Sequence, residues 1–81
     1  MNDFNITHEL KTLPMYFDPI LSGEKTFEIR KDDRFFLVGD RLLLREYDVF
    51  EYTGRVLTVE VTYITAYAQQ LGYVVMGIRP V

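Results

Sequence analysis

Eighty-one residues, 48% of them hydrophobic and 15% aromatic, suit one small domain with one core and exclude a disordered chain. With no cysteine there is no disulfide framework, no thiolate metal site and no cysteine nucleophile. A formal charge of −3 argues against a protein that coats nucleic acid without specificity, since that needs a net basic surface, but it permits a local basic cleft.

In chain order, Met1 to Asn5 reads as a loose terminus. Ile6 to Leu13 alternates as a first strand, with His8 and Leu10 sharing a face. Pro14 opens a helix, because the first turn needs no amide hydrogen there. Met15, Tyr16, Phe17, Ile20 and Leu21 form its apolar stripe, Pro19 predicts a kink or a separate first turn, and Ser22-Gly23 ends it. The next strand alternates: Phe27 and Ile29 share one face and are expected in the core, while Thr26, Glu28 and Arg30 are expected to point away from it. Lys31 to Arg34 is a polar turn, and Phe35 to Val38 is expected to return apolar side chains to the core.

Val38-Gly39-Asp40 turns into a strand over Arg41 to Asp48, with Leu42 and Leu44 on one face and Leu43, Arg45 and Tyr47 on the other. Val49 to Gly54 is expected as a hairpin loop with Thr53-Gly54 as its turn signal. Arg55 to Tyr67 is a long strand rich in β-branched residues. Leu57, Val59, Val61 and Tyr63 would line one face and Val56, Thr58, Glu60, Thr62 and Ile64 the other. Its length predicts bending around a barrel, with room for a bulge. Ala66 to Leu71 reads as a helical turn or a loop. Gly72 to Pro80 is the last strand, where Gly77 permits a bend or the close approach of another backbone. Five to six strands with one or two short helices make a mainly β domain, a small mixed or antiparallel barrel.

The apolar runs are far too short to span a bilayer, and the acidic N-terminus carries no secretion signal, so a cytoplasmic protein with no membrane partner is expected. There is no Walker loop, dinucleotide fingerprint or nucleophile elbow, and a single histidine speaks against a zinc enzyme, so neither cofactor nor metal is expected.

Gly23-Glu24-Lys25-Thr26-Phe27-Glu28-Ile29-Arg30 matches Gly-x-Lys-x-x-x-x-Arg, and here the chain resembles the ASCH domains of the PUA-like superfamily of small β-barrels. It is most similar to a bacterial and phage subfamily of short ASCH-like proteins. The resemblance runs through His8-Glu9-Leu10-Lys11, Ser22 to Lys31, Arg45-Glu46-Tyr47 and Gly72 to Met76. It implies a cleft beside the first helix, lined by the motif, that binds RNA or a nucleotide. Some small relatives are amidohydrolases of acylated cytidines that use a lysine, a threonine and a glutamate. Lys25 matches that lysine, but Glu28 stands where the threonine belongs.

The candidate residues follow. Lys25 is a phosphate ligand, or a reacting group with Glu28 if the chain is an enzyme, against an ordinary solvated strand lysine. Arg30 holds a phosphate or base edge bidentately, or simply pairs with Glu28 on the same strand face. Glu28 accepts from an exocyclic amine, or takes a proton, or serves only that pair. Lys11 and Arg45 either extend the positive side of the cleft or are surface charges. His8 is a site residue or an interior histidine. Tyr16, Phe17 and Tyr47 offer stacking faces, although at helical spacing one of Tyr16 and Phe17 belongs to the core.

Overall fold

The computed structural model describes residues 5–81; apart from Asn5, the stretch expected to be a loose terminus lies outside them. The order is β1 (His8–Thr12), α1 (Pro14–Ser22), β2 (Phe27–Lys31), β3 (Arg41–Tyr47), β4 (Tyr52–Thr65) and β5 (Tyr73–Pro80). The strands form one sheet in the order β1-β3-β4-β5-β2, parallel between β1 and β3 and antiparallel elsewhere. The result is a mainly β fold with one helix and a curled, mixed half-barrel. Its two edges, β1 and β2, are joined in sequence by α1.

Punctuation sets the helix. Pro14 stands at its first turn, and Gly23 takes a left-handed φ of 88° to close it, its amide donating to the Ile20 carbonyl at 3.1 Å. The helix runs through Pro19 as one element, so there is no separate first turn. The amide that Pro19 lacks would have served Met15, which is exposed, so water can satisfy that carbonyl. Phe17 and Ile20 are buried, in a core with Leu10, Leu42, Leu44, Val59, Val61, Val74, Met76 and Ile78.

The register fixes which face is inside. Leu10 lies opposite Leu44, Leu42 opposite Val59, and Val61 opposite Ile78. On β5, Met76 and Val74 face inward, and their partners on β2 are Glu28 and Arg30. The expected orientation of β2 is therefore inverted: Glu28 is 4% exposed, while Phe27 and Ile29 are 42% and 50% exposed. A period of two separates the two faces without saying which is covered. Here the buried carboxylate is tolerated because cations accompany it, and the outer face of an edge strand has no layer over it.

Three further departures are found along the chain. A bulge between Val61 and Tyr63 reverses the alternation, so Ile64 pairs with inward Met76 and Tyr63 turns out. The β3–β4 turn falls at residues 48–51, where the Asp48 carboxylate accepts from the amides of Phe50 (3.1 Å) and Glu51 (2.9 Å). Tyr52 is already paired with Tyr47, and Gly54 sits in a bulge rather than in the turn. Of Phe35 to Val38 only Phe36 is buried, its ring meeting the edge of His8 at 5.0 Å. Residues 66–72 form turns, the loop of the two alternatives expected there. At Gly77 the close approach is by a side chain and not by another backbone: a Cβ there would lie 2.9 Å from Thr62 Oγ1.

Candidate functional site

The two sheet edges do not share a backbone ladder, and side chains of the second edge reach carbonyls of the first. Arg30 donates through Nη2 to the Lys11 carbonyl (2.7 Å) and to Thr12 Oγ1 (3.3 Å). Arg34 donates to the Glu9 carbonyl at 2.9 Å. Guanidinium groups thus satisfy acceptors that a neighbouring strand would otherwise take. Beside this seam lies a cleft of about 550 Å³ lined by β1, the start of α1 and β2.

The charge arrangement of the cleft centres on Glu28. Its Oε1 accepts from Lys25 Nζ at 3.0 Å and its Oε2 from Arg30 Nε at 2.7 Å. Lys25 is placed by its backbone, whose amide donates to the Pro19 carbonyl at 2.9 Å and folds the chain back over the helix end. Its ammonium also donates to the Phe27 carbonyl at 2.7 Å, and lies 4.7 Å from the Phe27 ring centroid and 5.5 Å from that of Tyr16. The lining carries three cations, Lys11, Lys25 and Arg30, against one carboxylate, together with Leu13, Tyr16, Phe27 and Ile29. This patch is positive on an acidic chain. It can attract an anion and offer a flat apolar group an aromatic wall.

The structure brings Lys25, Glu28, Arg30, Tyr16 and the rim residue Lys11 to one place. Phe17 is the core member of its pair. It does not bring His8 or Arg45 there. His8 lies at the opposite end of β1, its Nε2 3.3 Å from Asp40 Oδ2, and reads as an interior histidine. Arg45 points from the outer face, stacking on Tyr52 at 3.8 Å and meeting Glu9 at 3.4 Å.

A second buried acid escaped the sequence reading. Glu46 shares the inner face with Leu42 and Leu44 and is opposite Thr12. It accepts from Arg55 Nε (2.8 Å), Arg55 Nη2 (2.7 Å) and Thr53 Oγ1 (2.6 Å). Those hydrogen bonds, Arg55 first and Thr53 next, lower its pKa to about 2, against a pull upward from burial. Arg55, its own pKa raised by Glu46 and Asp18, ties the helix in through Asp18 at 2.5 Å. The signal was present: a carboxylate two residues after Leu44 on a buried strand face demands a cation. Among the described residues no buried side-chain nitrogen or oxygen lacks a hydrogen-bond partner. Among the same described residues no cluster of three or more histidines and acids is disposed to hold a metal ion, and no helix is long and apolar enough to cross a membrane.

A curled mixed sheet, one helix and a positively lined apolar cleft at the open seam define a small β domain with a ligand-sized depression. The chain belongs to the family described as domain of unknown function (DUF3850), which it matches over residues 7–78. It is 41% identical, over 58 residues and 72% of its own length, to the uncharacterized 12.9 kDa protein in GpA 3'region of Escherichia phage P2. The match takes in 53% of that phage protein, so the chain spans about half the length of this curated relative.

Proposed function

We propose that the chain is an ASCH-like, PUA-related binding module that takes a nucleotide, free or within RNA, in the cleft beside α1. The observation that supports this best is the convergence of Lys25 and Arg30 with Tyr16 and Phe27 around about 550 Å³. A phosphate is the anion that two such cations suit, Arg30 through a fork and Lys25 as a point charge. A base fits against the exposed rings, and the unused lone pairs of Glu28 can accept from an exocyclic amine. Of the Gly23 to Arg30 stretch that carries the ASCH resemblance, Lys25, Phe27, Glu28, Ile29 and Arg30 line this cleft.

Thermal shift and fluorescence anisotropy with nucleoside monophosphates and short single-stranded RNAs test it. A ligand bound by the folded state alone raises the melting temperature. Lys25→Gln should weaken binding on the order of tenfold, the worth of one charge-assisted contact, and should flatten the salt dependence. Unchanged affinity in a folded Lys25→Gln protein overturns the proposal.

A second reading, hydrolysis of an acylated cytidine, has one observation in its favour: Lys25 Nζ and Glu28 Oε1 are 3.0 Å apart, within proton-transfer reach. Glu28 would take a proton from water as its oxygen attacks the acyl carbon. The Lys25 ammonium would protonate the cytidine amine as the C–N bond breaks, and a proton passing from Glu28 to Lys25 would restore the pair. Release of cytidine from N4-acetylcytidine, lost in Glu28→Gln, is the expected result. No turnover at high enzyme concentration, across several acyl groups, discards it.

A further inference from the structure

On the outer face next to the cleft rim, the strand register assembles a second group of cations and rings. Lys11 of β1 is the partner of Arg45 on β3, and Tyr47, two residues on, is the partner of Tyr52 on β4. Lys11 Nζ lies 4.5 Å from the Tyr47 ring centroid and 5.9 Å from that of Tyr52. The Arg45 guanidinium lies 3.8 Å from the Tyr52 centroid, and the two rings meet edge to face at 5.2 Å. Like charges held side by side in a ladder destabilise it. The acid that meets this pair is Glu9, 3.4 Å from Arg45 on a side chain that is itself exposed. Packing alone would be served as well by neutral neighbours. Two adjacent cations over two tyrosines, open to solvent, suit an anionic chain that carries flat bases.

Lys11 belongs to both places: it lines the cleft and stacks on Tyr47. We propose that this patch is a second nucleotide subsite, so that the ligand of the cleft is a single-stranded nucleic acid crossing Lys11 rather than a lone mononucleotide. This rests on the nucleotide reading of the cleft and fixes its substrate class. One residue of the strand occupies the cleft with its phosphate on Lys25 and Arg30, the linkage to the next residue crosses Lys11, and the next base meets Arg45 and the Tyr47–Tyr52 pair.

The test is a length series read by anisotropy competition at low salt, from CMP through cytidine oligonucleotides of up to about six residues. A parallel deoxycytidine series tells RNA from single-stranded DNA as the source. Affinity should rise at least about fivefold from CMP to the trinucleotide, the low end of what one stacked base contributes. Tyr52→Leu should remove that gain and leave CMP binding unchanged. Arg45→Gln, which leaves both rings in place, should lower the salt slope for the trinucleotide by about 0.7. A trinucleotide that binds the wild-type protein no more tightly than CMP overturns the second subsite and leaves the cleft reading standing. A length gain that survives in both variants also overturns it. Binding of neither CMP nor any oligonucleotide overturns both readings together.

Discussion

Glu28→Gln is the substitution that separates the two orientations of β2 most sharply. If Glu28 pointed to solvent, losing its charge would change stability by no more than about 0.5 kcal/mol. In the structure its side chain is 5% exposed and accepts from Lys25 and Arg30 at 3.0 and 2.7 Å. Each hydrogen bond to a charged group is worth about 1.5–3 kcal/mol. Glutamine offers one acceptor and turns an amide donor towards the other cation. Lys25 and Arg30 keep 16% and 26% of their side chains exposed, so water recovers part of the loss and the lower half of the range applies. The expected cost is about 1.5–2 kcal/mol, or a melting temperature lower by roughly 6–16 °C for a domain of this size. That is a large part of the ~4–12 kcal/mol that 81 residues usually command. Urea unfolding followed by circular dichroism measures it, provided the slope with denaturant is unchanged. In a Lys25→Met background the same change should cost less, because one orphaned cation is already gone. A loss below about 0.5 kcal/mol in the single variant would refute the inward placement of Glu28.

Glu46 carries a pH dependence. Its pKa in the folded protein is about 2 against an ordinary 4.5, so its contribution is complete above about 4.5 and is lost as pH falls from there towards 2. In Glu46→Gln the acid limb of an unfolding-against-pH series should be flatter over that window, and superimposable limbs would contradict the Arg55 pairing. Gly77→Ala should cost about 1 kcal/mol, since the new methyl meets Thr62 Oγ1 at 2.9 Å. The obstacle is one side-chain oxygen, so in a Thr62→Ala background the cost should fall close to zero. A cost that persists there would place the conflict with the backbone instead.

Much of the fold was legible where punctuation is strong. Pro14 and Gly23 bound the helix, Leu42 and Leu44 mark the inner face of β3, and Gly77 marks a close approach. What was not legible depends on contacts distant in sequence. The alternation of Phe27 to Arg30 is plain, but pairing with Val74 and Met76 decides which half is buried, some forty-five residues further on. A single bulged residue exchanges Tyr63 and Ile64, and nothing local to β4 marks its position. The candidate site follows the same division. Lys25, Glu28 and Arg30 are close in sequence and stay close in space. Arg45 and His8 are carried elsewhere by the face and the end of the strand on which they lie.

In the proposed site, Arg30 would tie stability to recognition in a way that Lys25 would not. Its guanidinium spans Glu28, Thr12 and the Lys11 carbonyl, so it holds together the two edges of the half-barrel. An anion that enters the cleft and takes the Nη2 donor does so at the expense of the carbonyl across the seam. Lys25 donates to Glu28 and to the Phe27 carbonyl, both within three residues, and bridges no edge. Loss of Lys25 therefore removes one local ion pair and, in the proposed site, one ligand contact. Loss of Arg30 removes one of the two arginine bridges across the seam together with its proposed ligand contact. A binding defect in an Arg30 variant is interpretable only beside its unfolding curve, and Arg30→Lys sharpens the point. It keeps the charge that the proposed phosphate would meet, yet one ammonium cannot reproduce a fork that reaches a carboxylate and a carbonyl on opposite sides.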